Sequence, residues 1–187
     1  MKSLFYKIIR VAGLVFIPVF LSFSLPKGWF VAGSMPGSYE MIDADGIAIN
    51  GKQTMTIKSI KKKVSGFGTL MKTQAAGEYI GSRVRMTGMM KTENVKGWAG
   101  FWMRIDSNEK NKYLGFDNMK DGAEDRSING SNEWQQYEIV LDVPEGSTSL
   151  NFGALLAGSG QIWFGDVQFE KVDSSVKTTG RGNRQNQ

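Results

Sequence analysis

The sequence predicts an all-β protein, an antiparallel β-sandwich of jelly-roll type preceded by an N-terminal signal or anchor helix. Three observations carry this. Gly is abundant at 23 residues and Pro scarce at 4, with 11 Phe and 5 Trp, a composition suited to short strands joined by tight turns. Runs of period-two alternation recur along the chain, separated by turn residues. No helical periodicity follows residue 24. The 187 residues suit one domain with flanking segments: a signal peptide or anchor over 1–24, the sandwich over 25–173, and a disordered polar tail over 174–187.

The first segment has the pattern of an export signal. Lys2, Lys7 and Arg10 precede an uncharged run from Val11 to Phe23. Ser22-Phe23-Ser24 offers small residues at −3 and −1, so cleavage is expected after Ser24. The run is shorter than the roughly 20 residues that span a bilayer, and Pro18 interrupts it. No Cys follows it, which excludes a lipid anchor on cysteine. An uncleaved anchor is the alternative. Either way the domain is expected to be exported: periplasmic, extracellular, or anchored facing outside.

From Lys27 the chain reads as strands and turns. Gly28-Trp29-Phe30-Val31 opens the domain, and Ser34-Met-Pro-Gly-Ser38 turns it. Tyr39 to Asp43 is a strand. Asn50-Gly51 is the strongest two-residue turn signal present. Gln53 to Ser59 alternates, and Phe67 to Thr73 is a further strand. Ala75 to Ile80 is expected to form a helical turn ending at Gly81. Arg83 to Lys91 alternates, with Val84, Met86 and Met90 on one face.

The nonapeptide Trp98-Ala-Gly-Phe-Trp-Met-Arg-Ile-Asp106 is the most informative stretch. Phe101, Met103 and Ile105 point one way; Trp102, Arg104 and Asp106 point the other. The second face shows an aromatic, a cation and an acid in a row. Asp117 to Glu133 is a long polar loop, a kind that tends to be functional. Trp134 to Val143 places Tyr137, Ile139 and Leu141 inward. Leu150 to Leu156 and Gln161 to Phe169 close the domain. From Ser174 the chain is apolar-poor.

There is no Cys and no His. That excludes a Ser-His-Asp triad, a cysteine nucleophile and His- or Cys-ligated metals. The formal charge is +5, but six cations lie in the terminal segments. Without them 17 basic residues face 18 acidic ones, so no nucleic-acid footprint is present. The run Lys61-Lys62-Lys63 reads as a solvated hairpin tip.

The order of features resembles the galactose-binding-like jelly roll of carbohydrate-binding modules, as found in bacterial exported proteins and fused to enzymes or regulators. The resemblance rests on Gly28-Trp29, Asn50-Gly51-Lys52, Tyr79-Ile-Gly-Ser-Arg-Val-Arg85, Lys91-Thr-Glu-Asn94, Trp134-Gln-Gln-Tyr137, Val140-Leu-Asp-Val-Pro144 and Ile162-Trp-Phe-Gly-Asp-Val-Gln-Phe-Glu170. It covers residues 28 to 172 and implies a β-sandwich that binds a glycan. Such modules begin with an extra strand that helps hold a structural calcium. Here the domain starts at Trp29 and that strand is missing, leaving Asp166 as the one candidate ligand for the ion.

Alternation places Arg85, Trp102, Arg104, Gln136, Glu138 and Asn151 outward. Neighbouring strands would gather them into a polar face with one large aromatic, where a ring stacks on a sugar and planar groups bond its hydroxyls. On that reading Trp102→Ala removes binding and leaves the melting temperature nearly unchanged. The plain alternative is a surface lattice in which Arg104 pairs with Glu138. Trp29, Trp98, Trp134 and Trp163 read as structural. The acidic loop Asp117, Asn118, Asp121, Glu124, Asp125 matches no calcium-loop spacing. Glu138 with Asp106 is the one carboxylate pair available to a glycosidase, which needs two acids about 5 to 10 Å apart. The expectation is therefore a non-catalytic exported module for carbohydrate. An envelope structural or protein-interaction domain is the alternative, a carboxylate hydrolase a more distant one. Any membrane contact is expected only through residues 1–24.

Overall fold

The computed structural model describes residues 25–109 and 112–180. The expected signal or anchor over 1–24 and the tail from residue 181 lie outside them. Eight strands run in chain order: β1 (Trp29–Gly33), β2 (Tyr39–Ile49), β3 (Lys52–Ser59), β4 (Phe67–Ala75), β5 (Ser82–Ser107), β6 (Tyr113–Asp117), β7 (Ile128–Val143) and β8 (Ser147–Val172). The helical turn expected at 75–80 is a short 3-10 turn, Gly77–Tyr79.

Two strands organise the rest. β5 and β8 are each 26 residues long and pair antiparallel from Arg83↔Val172 to Ser107↔Ser147. The other edge of β8 carries β4 on its first half and β3 on its second. β1 extends β4, β2 extends β3, and the far edge of β5 carries β6 and β7. The result is a front sheet, β1-β4-β8-β5-β6, and a back sheet, β2-β3-β8-β5-β7, sharing one continuous ladder.

The ladder bends where glycines allow the backbones to meet. Gly97 and Gly158 have φ of 121° and 86°. A Cβ on Gly158 would stand 2.1 Å from the Lys96 carbonyl. Short alternating segments read as separate strands in the sequence are therefore halves of the same long strands.

The core lies between the sheets. Phe101 from the front meets Phe164 from the back edge-on at 6.1 Å, and Phe152 meets Phe169 at 4.7 Å. Gly88 makes room for Phe101, whose Cζ is 2.6 Å from where a Cβ would be. Trp29 packs edge-on against Phe152 and Phe164, the structural role its position predicts. Phe101, Met103 and Ile105 are buried, as their alternation requires.

Over residues 174–180 the expected disordered tail is corrected. The Thr179 N–H donates to the Val140 carbonyl at 2.9 Å, and its hydroxyl accepts the Val140 N–H at 2.8 Å. Backbone bonding to the open edge of β7 orders a segment that has little apolar surface to bury.

A candidate ligand-binding face

The six outward residues do not form one face. Arg85, Gln136 and Glu138 project from the back sheet; Trp102, Arg104 and Asn151 project from the front. Inner residues of the two sheets meet in the core, so these outer faces look in opposite directions. Period-two reasoning identifies which residues point outward but not which half of a bent strand belongs to which sheet.

On the back sheet, Arg85 and Glu138 belong to a surface ion lattice. Arg85 pairs with Glu138 at 3.0 Å and with Glu170 at 2.8 Å. Glu138 is thus held by Arg85, and the expected Arg104–Glu138 pair is not formed. Glu138 and Asp106 stand on opposite sheets, which removes the only carboxylate pair proposed for hydrolysis.

On the front sheet, registration sets the order Thr73, Asn151, Arg104, Phe116 across β4, β8, β5 and β6. The Arg104 guanidinium donates from Nε and Nη2 to both oxygens of Asp106, at 2.6 and 2.8 Å. This bidentate bond holds Arg104 above its ordinary pKa. Asn151 Nδ2 donates to Asp106 Oδ2 at 2.8 Å, and Thr73 Oγ1 donates to Asn151 Oδ1 at 2.6 Å. Four side chains from three strands thus share one network. It borders a cleft of about 480 Å³ lined by Arg104, Asp106, Ser107, Glu109, Lys112 and Tyr113. Lys112 pairs with Glu109 at 2.8 Å. Among the described residues, two cations and two acids line the cleft, so their charges balance.

Trp102 lies beside this network but is only 8% exposed. It stands opposite Gly153, and its indole N–H crosses β8 to reach Thr69 Oγ1 on β4 at 2.8 Å. That reach lays the indole along the sheet, where it forms a floor and not an open platform. The exposed ring is Tyr113, at 52%. A one-residue bulge at Leu114 turns Tyr113 to the same side as Asp106. Tyr113 and Thr73 were missing from the sequence-derived site. Tyr113 opens a short strand after a polar loop, and only the bulge reveals its facing.

The loop after β6 fixes the flank. Asp117 is fully buried and accepts the Met119 N–H at 2.7 Å and Arg126 Nη2 at 2.5 Å. Met119 Sδ accepts the Phe101 N–H at 3.2 Å, and Lys120 stands 5.6 Å over the Trp98 ring. This loop is a built support for β5.

Asp166 does not fit a calcium ion. Its carboxylate accepts from Asn50 Nδ2 at 2.7 Å, from Gln168 Nε2 at 2.8 Å and from the Lys52 ammonium. Those donors, led by Asn50 and then Lys52, hold its pKa down at about 2. Calcium needs oxygen ligands around it, and here a cation and two amide N–H groups occupy that shell. Asp166 ties β8 to the Asn50-Gly51 turn.

No family model matches the chain. Over 155 residues it is 41% identical to YbfP, an uncharacterized HTH-type transcriptional regulator of Bacillus subtilis (strain 168); the match takes in 82% of the chain and 50% of the regulator. The chain thus spans about half the length of the curated relative it matches.

Among solved structures, the enzymatically active domain of bacteriophage CBA120 tailspike protein 4 is similar with a TM-score of 0.57 and 11% identity, over 78% of this chain and 20% of that one. The CBM22-1 xylan-binding domain of Paenibacillus barcinonensis Xyn10C has a TM-score of 0.51 and 13% identity, over 80% and 89%. The CBM22-1–GH10 modules of Clostridium thermocellum Xyn10B have a TM-score of 0.53 and 12% identity, over 80% and 27%. The fold is the β-sandwich of carbohydrate-binding modules.

Proposed function

We propose that this chain is a non-catalytic binding module that takes a neutral saccharide at the polar end of its front sheet. The observation that carries the reading is the Thr73–Asn151–Asp106–Arg104 network beside the exposed Tyr113. A planar guanidinium–carboxylate pair fixed on rigid strands offers donors and acceptors side by side to neighbouring hydroxyls. Tyr113 supplies a ring for the C–H face of the sugar. The balanced charges of the described lining residues favour an uncharged ligand. Xylan binding by a domain of the same fold supports the ligand class. Calorimetric titration with xylo-oligosaccharides and a panel of neutral glycans tests it. Saturable binding lost in Tyr113→Ala and Asp106→Asn is expected; no heat with any glycan would end this reading.

The likeness to half of a transcriptional regulator favours a second reading, a sensing or interaction module. Among the described residues there is no α-helix, and a helix-turn-helix is built of helices. The shared stretch is then the regulator's other half, and a ligand or protein bound on the front sheet would be its input. Export rests on residues 1–24, and N-terminal sequencing of the mature protein tests it.

A further inference from the structure

We infer that the tip formed by the Ser34–Ser38 turn and the 60–66 loop docks on an anionic lipid bilayer surface. The tip is built from two segments tied together. The Ile60 N–H donates to the Ser38 carbonyl at 3.0 Å, and the Met35 N–H donates to the Phe67 carbonyl at 3.1 Å. The Phe67 N–H in turn donates to Ser34 Oγ at 3.0 Å. Val64 packs against the core, and the Gly66 carbonyl accepts the Gly158 N–H at 3.1 Å. The loop is thus fixed at both ends, with its apex turned to solvent.

That apex spends its side chains in an unusual way. Ile60 is 61% exposed, the most exposed large hydrophobic among the described residues, and Met35 and Phe67 are exposed beside it at 42% and 37%. Lys61, Lys62 and Lys63 follow Ile60, all exposed and without an ion-pair or hydrogen-bond partner among the described residues. No acid occurs in residues 33–38 or 59–68.

A solvated hairpin tip needs the lysines but not three large apolar groups next to them. An interfacial contact uses both: apolar side chains enter the headgroup boundary while ammonium groups on long stems meet anionic lipid. Without these three lysines the domain carries 14 basic residues against 18 acidic ones, so the attraction is local to this end. It is independent of the saccharide site.

The chain has no cysteine, so a single reporter is easily placed. Full-length Ile60→Cys carrying an environment-sensitive fluorophore is mixed with vesicles of phosphatidylcholine, with and without 30% phosphatidylglycerol. Gln136→Cys, on the back sheet, reports a remote site. A blue shift at position 60 with the anionic vesicles only, and none at 136, is expected. Adding Lys61→Glu, Lys62→Glu and Lys63→Glu should weaken partitioning by about 100-fold or more, at roughly fivefold per lysine. An unshifted reporter at 60, or equal shifts at 60 and 136, or equal response to neutral vesicles, would overturn the inference.

Discussion

Trp102 and Thr69 stand on strands separated by β8, and a 2.8 Å bond from the indole N–H to the threonine hydroxyl joins them across it. The same hydroxyl donates to the Ala154 carbonyl at 2.7 Å, so one side chain ties three strands. The indole is therefore part of the front sheet's packing. Trp102→Ala is expected to cost about 3–5 kcal/mol and to lower the melting temperature by roughly 2–4 °C per kcal/mol. This reverses the stability outcome that an outward Trp102 implies. A thermal melt of the variant decides it.

Tyr113 and Asp106 separate binding from stability. Tyr113→Ala removes an exposed ring and should leave the melting temperature within about 2 °C of the parent. Asp106→Asn keeps the shape but ends the charged bidentate bond of Arg104, at about 1 kcal/mol in a half-exposed pair. Each is expected to weaken saccharide affinity tenfold or more. Calorimetry beside the melts checks both.

Asp117 is fully buried against Arg126. Arg126→Ala leaves that carboxylate without its counter-charge and is expected to cost about 3–5 kcal/mol. Asp117→Asn with Arg126→Ala should recover part of the loss. Chemical denaturation of the single and double variants measures the difference.

Asp166 gives the acid limb of stability a defined source. Its folded pKa lies near 2, against an ordinary 3.8. A depressed carboxylate stabilises the fold fully above about pH 4 and loses that contribution as pH falls toward 2. Asp166→Asn should flatten the stability profile across that window and lower the plateau above it. Urea midpoints from pH 2 to 6 report it.

Gly88 faces the Phe101 ring too closely for any side chain. Gly88→Ala should cost about 1–3 kcal/mol by overpacking, and Gly88→Ala with Phe101→Leu should cost less than the sum. Denaturation midpoints again distinguish the outcomes.

Much of the fold was legible because the pleat has a strict period. The inward set Phe101, Met103, Ile105, Val84, Met86 and Met90 follows from alternation alone. What alternation lacks is a record of bending. Arg85 and Arg104 are both outward on β5, yet a bend at Gly97 puts them on opposite sides of the molecule. For the same reason Arg104 finds Asp106, two residues on, and not Glu138. Trp102 is outward in direction and buried in fact, because Gly153 opens a path for its indole to Thr69 that no local pattern records. The bulge at Leu114 reverses the facing of Tyr113, and nothing in that stretch announces it. The Asn50-Gly51 turn was plain from sequence; that it anchors Asp166, 116 residues away, was not.

The shared β5–β8 ladder has a consequence for assembly. Residue 83 pairs with 172, and β1, the first strand, joins the front sheet through β4, which itself waits for the first half of β8. Neither sheet is complete until the last strand has left the ribosome. Contacts this distant in sequence make closure slow, and the early strands, rich in Ile, Met and Phe, stay open to wrong partners meanwhile. Nascent chains ending before Ser147 should be captured by chaperones or degraded, and no proteolytic fragment of the sandwich should survive as a folded half.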